Sequence, residues 1–261
     1  MDVIRSAQNP ALRRARAVLA GKEPGFLALE GDRLVDEALR RGLPLELCLV
    51  AAERGERARE LRALGAPVQL VDGGVLQRAS ALVTSPGVLA VAPAPAPLAL
   101  DALRPSLAPL VAVACGIADP GNLGALARTA EAAGAGALVL VGGASPWNPK
   151  ALRGSMGSLL RLRLVIAEDA GAVRAALDRG GWRQARAAAR GGALYDRFDW
   201  RPPLALWIAS ETGALPAAAG DVEAVTIPMA GTVESLNVTT AAAVLLFAAR
   251  GAAARAAGGL R

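Results

Sequence analysis

The second half of the chain alternates short apolar runs with helical patterns, and this alternation constrains the fold more than any other feature. The apolar runs are LVAVAC, ALVLV, RLVIA, LALWIA and AVTIPM. Strands that are apolar on both faces and alternate with helices are typical of a parallel sheet covered by helices on both sides. We therefore predict an α/β fold with a parallel sheet for this half.

A proline-rich segment separates this half from the preceding one. The sequence PAPAPLALDALRPSLAP has too many prolines for a helix or a central strand, so we place a linker at residues 93–109. Residues 1–92 contain a basic helix followed by short strand and helix patterns, which predict a small α/β domain. The second predicted domain then spans residues 110–261.

The positive charge of the chain comes almost entirely from arginine. The formal net charge is +6, the isoelectric point is about 10.5, and only Lys22 and Lys150 are lysines. Arginine-rich surfaces favour a polyanionic partner such as RNA, because phosphate contacts release counterions. A GC-rich genome that replaces lysine by arginine is the alternative. Aromatic residues make up only 3% of the chain, so base stacking is not the main mode of recognition.

The chain has no histidine, which removes histidine general bases, histidine-ligated metals and the common serine or cysteine triads. Cys48 and Cys115 lack metal-site spacing and are expected to be buried free thiols in a reducing compartment. We expect no bound metal and no membrane span, because the longest apolar run, 238–249, is too short to cross a bilayer. The N-terminal sequence does not resemble a secretory signal, which indicates a cytoplasmic protein.

Polar residues follow three of the predicted strands, at the edge where parallel sheets collect their ligands. These residues are Asn122, Arg128, Glu211, Glu234, Ser235 and Asn237. Because the strand ends meet at one edge of the sheet, we predict that the three loops share a pocket. A dinucleotide-binding fold is disfavoured, since no glycine fingerprint follows a strand and opens a helix.

Several of these residues also have a purely structural interpretation. The turn sequence DPG predicts that Asn122 caps the following helix, and Arg128 can pair with Glu131 on the surface of that helix. Ser235 and Asn237 can cap the last helix. The convergence of three polar loops favours a binding site over separate structural roles.

The motifs in these loops resemble those of a known family. DPGNLGALARTAEAAG, PKALRGSMGSLLRL, SETGALP and IPMAGTVESLNVTTAAA occur in this order. They closely resemble the SpoU (TrmH) family of the SPOUT superfamily, whose members are S-adenosylmethionine-dependent RNA ribose 2′-O-methyltransferases. The likeness covers residues 110–250, and NPALRRARAVLA and FLALEGDRLVDEAL resemble the small substrate-binding domain of many members. The resemblance implies a deep trefoil knot in the C-terminal domain and a homodimer whose subunits build the active sites together.

The resemblance also implies roles for individual residues. The implied catalytic set is Arg128, Asn122, Glu234, Ser235 and Asn237. The implied cofactor-binding set is Ala209, Glu211, Gly213, Ile227, Met229, Ser235 and Leu236. The expected RNA-binding set is Arg13, Arg14, Arg16, Arg33, Arg153 and Ser155. Ala209, Thr212 and Ala214 stand where the family usually has glycines, which predicts a more crowded cofactor loop.

The expected chemistry suits a chain without histidine or a metal cluster. Methyl transfer from S-adenosylmethionine needs an oriented, partly deprotonated oxygen nucleophile but no metal. A guanidinium stays protonated, so we expect Arg128 to act electrostatically, with Glu234 or an RNA phosphate as the proton relay. We expect ribosomal RNA as the substrate. The alternatives are transfer RNA, a base-modifying enzyme of the same superfamily, and an RNA-binding protein without catalytic activity.

Overall fold

The computed structural model describes residues 2–210 and 215–256. Along the chain, the helices and strands are α1 (Pro10–Leu19), β1 (Phe26–Glu30), α2 (Asp32–Arg40), β2 (Leu47–Ala51), α3 (Gly55–Ala63), β3 (Val68–Val71), α4 (Gly73–Ala79), β4 (Val88–Pro93), β5 (Leu110–Cys115), α5 (Pro120–Ala132), β6 (Ala137–Val141), α6 (Pro149–Ser155), α7 (Ser158–Arg161), β7 (Arg163–Ala167), α8 (Ala170–Gly180), β8 (Arg183–Ala188), β9 (Ala193–Leu194), β10 (Leu204–Ala209), β11 (Glu223–Thr226) and α9 (Val238–Ala256). The chain divides into two compact units. The N-terminal unit contains Met1–Ala96 and Ser145–Arg161, and the C-terminal unit contains Pro97–Ala144 and Leu162–Arg261.

The N-terminal unit, as far as the structure describes it, is built on a four-stranded mixed sheet with the order β1-β4-β2-β3. β4 is antiparallel to both of its neighbours, whereas β2 and β3 are parallel. α1 begins at Pro10, and the side chain of Asn9 caps it by accepting a hydrogen bond from the Ala11 amide at 2.9 Å. Aliphatic side chains such as Leu12 and Leu49 are fully buried and form the core between α1 and the sheet.

Two buried glutamates hold residues 145–161 in the N-terminal unit. The side chain of Glu30, at the end of β1, is only 1% exposed and pairs with Arg153 of α6 at 3.1 Å. The side chain of Glu37, on α2, is 7% exposed and pairs with Arg161 of α7 at 2.9 Å. A carboxylate buried to this extent destabilises the fold unless it is paired. These ion pairs therefore anchor α6 and α7 to β1 and α2.

The C-terminal unit is built on a parallel sheet, which in the described residues has the order β7-β6-β5-β10-β8-β11-β9. Each neighbouring pair in this order is parallel. β5 and β6 are buried along their whole length, as expected for strands covered on both faces. Trp207 of β10 is fully buried, and its ring N–H donates to the side-chain oxygen of Gln184 at 2.9 Å. The prediction of an α/β fold with a parallel sheet is confirmed.

The apolar pattern of the sequence does not predict β8, although this strand lies between β10 and β11. Its sequence, RQARAA, contains two arginines and a glutamine, unlike the apolar strands beside it. The polar side chains are accommodated by specific partners. Gln184 accepts the hydrogen bond from Trp207, and Arg186 Nε donates to the carbonyl oxygen of Val222 at 3.1 Å. A polar central strand is tolerated when its side chains are bonded in this way, and periodicity alone does not reveal such a strand.

Candidate functional site

A cavity of about 810 Å³ lies at the carboxyl edge of the parallel sheet. The ends of β8, β10 and β11 line it, together with the loop before α9 and the first turns of α9. Parallel strands bring their carboxyl ends to one edge, which is where α/β proteins bind ligands. The apolar part of the wall includes Ile208, Leu215, Val225 and Leu245. A cavity of this volume is typical of a cofactor or small-molecule site.

Several residues that the sequence predicts for the site line this one cavity. They are Ala209, Ile227, Met229, Glu234, Ser235 and Leu236. Ala209 ends β10, Ile227 and Met229 follow β11, and the other three lie in the loop that leads into α9. Glu211 and Gly213, which were predicted for the same site, lie outside the described residues. The structure therefore brings two of the three predicted loops together.

Asn237 caps α9. Its side-chain oxygen accepts hydrogen bonds from the Thr239 amide at 2.9 Å and from the Thr239 hydroxyl at 2.6 Å. Ser235 and Glu234 are exposed at the cavity, and neither side chain has a hydrogen-bond partner in the part of the chain that the structure describes. The cap holds the start of α9 in place, and the two preceding polar side chains stay available to a ligand.

Asn122 and Arg128 lie on α5, and neither is part of the cavity wall. The carboxylate of Asp119 caps α5 by accepting a hydrogen bond from the Asn122 amide at 2.8 Å, so the prediction that Asn122 is the N-cap is wrong. Pro120 takes the first helical position, which suits its fixed φ and its lack of an N–H. Arg128 is exposed, and within residues 2–210 and 215–256 it forms no ion pair with Glu131. A surface ion pair therefore does not account for Arg128.

Sequence reasoning missed two arginines, Arg186 and Arg190, that also line the cavity. Arg186 lies on β8, and Arg190 lies in the loop that follows this strand. Because the apolar pattern does not predict β8, nothing in the sequence places either arginine at a strand end. The glycine pair Gly191 and Gly192 is the one local signal, since it indicates a turn directly after Arg190.

The arginines predicted to bind RNA in the N-terminal half differ in their surroundings. Arg13 is exposed, and its side chain makes no hydrogen bond within the described residues. Arg14 pairs with two glutamates, which offset its charge. Arg16 is half-buried and makes one long contact with a backbone carbonyl, at 3.5 Å. Arg33 is exposed and donates to a backbone carbonyl at 3.3 Å, so it keeps its net charge.

Arg153 and Ser155 have structural partners within the N-terminal unit. Ser155 is fully buried and its hydroxyl donates to the carbonyl of Leu152 at 2.8 Å. A buried hydroxyl cannot contact RNA without opening of α6, which contradicts the prediction for Ser155. The guanidinium of Arg153 pairs with buried Glu30, so its charge is already neutralised. Both residues stabilise α6 in the structure.

The cysteines are not suited to nucleophilic chemistry. Cys48 and Cys115 are buried and are not disulfide-bonded. Burial raises the pKa of Cys48 to about 11 and that of Cys115 to about 12, so both thiols are protonated at neutral pH. Among the described residues there is no cluster of acidic or cysteine side chains that could hold a metal ion. No helix in the same ranges is both long enough and apolar enough to span a membrane.

The cavity fits a nucleoside-containing cofactor such as S-adenosylmethionine. Its volume is sufficient, and Ile208 and Leu245 provide an aliphatic surface against which an adenine ring can pack. The strand ends place main-chain groups along the wall, and Ser235 adds a hydroxyl. Both acidic and basic side chains line the cavity, so the ammonium and carboxylate groups of an amino-acid tail can each find an opposite charge.

Family models match both halves of the chain. A model described as the SpoU rRNA Methylase family matches residues 109–247. A second model, described as RNA 2′-O ribose methyltransferase substrate binding, matches residues 28–98. The first match includes all residues that line the cavity.

Relatives and a solved structure match nearly the whole chain. An uncharacterized tRNA/rRNA methyltransferase of Synechocystis sp. is 31% identical over 260 residues, which cover 95% of this chain and 93% of that protein. The 23S rRNA (guanosine(2553)-2′-O)-methyltransferase RlmP of Bacillus subtilis is 28% identical, over 96% of this chain and 100% of that protein. The AdoMet-bound rRNA methyltransferase from Sinorhizobium meliloti matches with a TM-score of 0.85 at 26% identity, and the match covers 96% of this chain and 97% of that one.

Proposed function

Since this chain belongs to the SpoU rRNA methylase family and is an S-adenosylmethionine-dependent RNA ribose 2′-O-methyltransferase, we propose that it methylates ribosomal RNA, with the cavity of the C-terminal unit as its cofactor site. One observation carries the assignment of the site. Predicted residues at the end of β10 and in the loop before α9 line a single cavity of about 810 Å³.

The cavity residues bind and orient the cofactor. S-adenosylmethionine supplies a methyl group on a positively charged sulfur, so the transfer needs no metal. Main-chain groups at Ala209, Ile227 and Met229 hold the nucleoside part, and the aliphatic wall excludes water from it. Leu236 and Ser235 complete the site at the start of α9.

Arg128 lowers the barrier to deprotonation of the ribose hydroxyl. Its guanidinium stays protonated, so it stabilises negative charge on the oxygen as the proton leaves and does not accept that proton itself. Glu234 is the acidic side chain in the described part of the cavity wall and takes the role of proton acceptor. Asn122 and Ser235 orient the hydroxyl. Asn237, as the cap of α9, keeps Glu234 and Ser235 in position.

Arg128 and Asn122 lie outside the cavity wall of their own chain, and we therefore place them in the site of a partner subunit. Arg128 is exposed on α5, which packs against α9, and α9 begins at the cavity. Phe247 on α9 is 47% exposed, an apolar surface that a second copy would cover. In a twofold homodimer formed through these helices, Arg128 and Asn122 of each subunit would contribute to the site of the other subunit.

The C-terminal unit also carries the trefoil knot that the family resemblance implies. The strand order supports this proposal, because β10 lies between β5 and β8, which both precede it in the chain. The chain therefore returns into the middle of the sheet after the strands on either side have been formed. A knotted backbone, which is rare among protein folds, would place a late strand in this way.

The N-terminal unit captures RNA through exposed arginines, among which Arg13 and Arg33 keep their charge. Large-subunit ribosomal RNA is favoured over transfer RNA because the RlmP relative, which matches along its full length, is named for 23S rRNA. A ribosomal RNA substrate is consistent with a protein of the cytoplasm. The two cysteines are free thiols, as expected in that reducing compartment.

Methyl transfer to defined RNAs tests this function. The protein is incubated with methyl-labelled S-adenosylmethionine and unmodified transcripts of 23S rRNA, 16S rRNA and transfer RNA. We expect label at one nucleotide of 23S rRNA, at a linkage that resists alkaline cleavage. Label in transfer RNA alone would overturn the choice of substrate, and label at an alkali-sensitive linkage would overturn ribose methylation. No label in any transcript would overturn the proposed activity if the protein still binds the cofactor.

A further inference from the structure

Arg186 places a positive charge on a central strand of the parallel sheet. It is half-buried, and its register partners are Trp207 on β10 and Ala224 on β11. Its Nε donates to the carbonyl of Val222, and no carboxylate of the described residues lies within ion-pair distance. A guanidinium withdrawn from water without an opposite charge is unfavourable, so this position is suited to an external anion.

Arg190 extends the same positive wall towards solvent. It is exposed, it lines the cavity, and it has no partner in the described ranges. The following turn restricts where it can lie, since Gly191 and Gly192 have φ values of +77° and +88°. A side chain at Gly192 would overlap the carbonyl oxygen of Ala224, so only glycine lets this loop lie against β11. The turn therefore keeps Arg190 at the cavity.

The described part of the cavity wall does not offset these charges by itself. Glu234 is the one acidic side chain in the described part of the wall, and it has no hydrogen bond to either arginine. Other arginines of the C-terminal unit do find carboxylates. Arg174, for example, pairs with Asp178 and Asp221 at 3.0 and 2.8 Å. The two cavity arginines therefore differ from a general surface of paired charges.

We infer that Arg186 and Arg190 form an oxyanion-binding site in the cavity and help to determine what the enzyme binds there. This inference rests on the proposed function, because the anion is either the carboxylate of the cofactor or a backbone phosphate of the RNA. Both are oxyanions that accept charge-assisted hydrogen bonds from a planar guanidinium. Arg186 supplies the inner contact and Arg190 the contact nearer to solvent.

Binding measurements with two cofactor analogues separate the two sources. S-adenosylhomocysteine has the carboxylate, whereas 5′-methylthioadenosine has the same nucleoside without it. Isothermal titration of wild type, Arg190→Gln and Arg186→Gln gives both dissociation constants. If the anion is the carboxylate, each variant should bind S-adenosylhomocysteine about tenfold more weakly and 5′-methylthioadenosine as well as wild type does.

RNA binding by the same variants is the second measurement. If the anion is a phosphate, both analogues should bind as they do to wild type, while affinity for the 23S rRNA transcript falls. The slope of log affinity against log salt concentration should then become shallower by about 1. Arg190→Lys, which keeps the charge, should recover part of the lost affinity in either case. Arg179→Gln, at an exposed arginine of α8, is the matched control and should change nothing.

The inference is overturned if Arg190→Gln and Arg186→Gln bind both analogues and RNA as Arg179→Gln does. Arg190 is exposed, so its variant should fold normally, and a thermal melt verifies this for Arg186→Gln. Equal weakening of both analogues would also overturn it, because it would indicate damage to the nucleoside site. Failure of the proposed function is a different result, in which the wild-type protein itself binds no S-adenosylhomocysteine.

Discussion

In the N-terminal unit, Arg153 and Arg161 pair with carboxylates that are almost completely buried, whereas Arg186 in the cavity wall of the C-terminal unit bonds to one backbone carbonyl and, among the described residues, to no carboxylate. The side chains are the same, but the first two arginines have a carboxylate partner and Arg186 has none among the described residues. A guanidinium that is paired within the fold has its charge offset by the carboxylate, so it attracts a ligand anion less. One that is half-buried without a carboxylate stays attractive to an anion.

This difference separates arginines that are paired within the fold from those that we expect to bind a ligand, in a chain that is rich in arginine. Arg14 has two glutamates beside it, and Arg57 bonds to Asp32 and Glu60, so both are already neutralised. Arg128 and Arg190 are exposed and have no carboxylate partner within the described residues. RNA and cofactor contacts are therefore expected at the arginines that have no carboxylate partner.

The largest effect is expected from Arg128→Ala, which removes an unpaired arginine. If Arg128 stabilises charge on the attacking oxygen, single-turnover methyl transfer at saturating RNA and cofactor should slow by on the order of 10² to 10³-fold. Saturation matters because weaker RNA binding alone would imitate a catalytic defect. The matched variant Arg179→Ala, at another exposed helix arginine, should stay within about twofold of wild type. An Arg128→Ala rate as high as that of the control would remove Arg128 from catalysis.

A mixing experiment shows whether Arg128 acts in the cavity of its partner. Arg128→Ala is combined with Ser235→Trp, which fills the cavity of its own chain and is inactive alone. If Arg128 crosses between subunits, each mixed dimer has one working site, and random pairing at equal amounts restores about a quarter of the wild-type activity. No recovery, with mixed dimers verified by mass spectrometry, would place Arg128 in the site of its own chain.

A smaller effect is expected from Glu30→Gln, which breaks the ion pair between Glu30 and Arg153. The glutamate side chain is 1% exposed and Arg153 is 27% exposed, so the change leaves a partly buried guanidinium without its counter-charge. Unfolding free energy should fall by about 2 kcal/mol, which lowers the melting temperature by roughly 4 to 8 °C. Asp199→Asn breaks the exposed pair with Arg201 and should leave the melting temperature unchanged. Equal melting temperatures for both variants would contradict the structural role of Glu30.

The smallest effect is expected from substitutions of two neighbouring arginines of α1. Arg13 is exposed and unpaired in the described structure, whereas Arg14 is held by two glutamates. Arg13→Ala should weaken binding of the 23S rRNA transcript a few-fold and reduce the salt dependence by about 1 in slope. Arg14→Ala should change this slope less, because its charge is already offset. The comparison fails if Arg14→Ala has the larger effect in filter binding between low and moderate salt.

Point substitutions test RNA capture better than removal of the N-terminal half. Glu30 and Glu37 pair with Arg153 and Arg161, which follow the first strands of the C-terminal unit in sequence. A deletion of residues 1–96 would remove the carboxylates that pair with both arginines and would expose the buried face of α6. Loss of RNA binding in such a variant would therefore report misfolding as readily as lost contacts.

The sequence by itself determined the class of the fold and two loops that line the cavity. Strand and helix periods are local properties, so apolar runs such as LVAVAC identified β5 and its neighbours without knowledge of the partners. Motif residues at the ends of strands, such as Ala209 and Ile227, line one cavity because parallel strands end at one edge. The resemblance to the SpoU family rested on the same short segments.

Only the tertiary structure decided which polar residues are free to act. Arg153 is neutralised by Glu30, 123 residues away, and no local pattern contains such a pairing. β8 joins the sheet through partners on other strands, which brings Arg186 to the cavity although its own sequence does not indicate a buried strand. The free energy of a charged side chain depends on the opposite charge and the water around it, and the fold alone sets both.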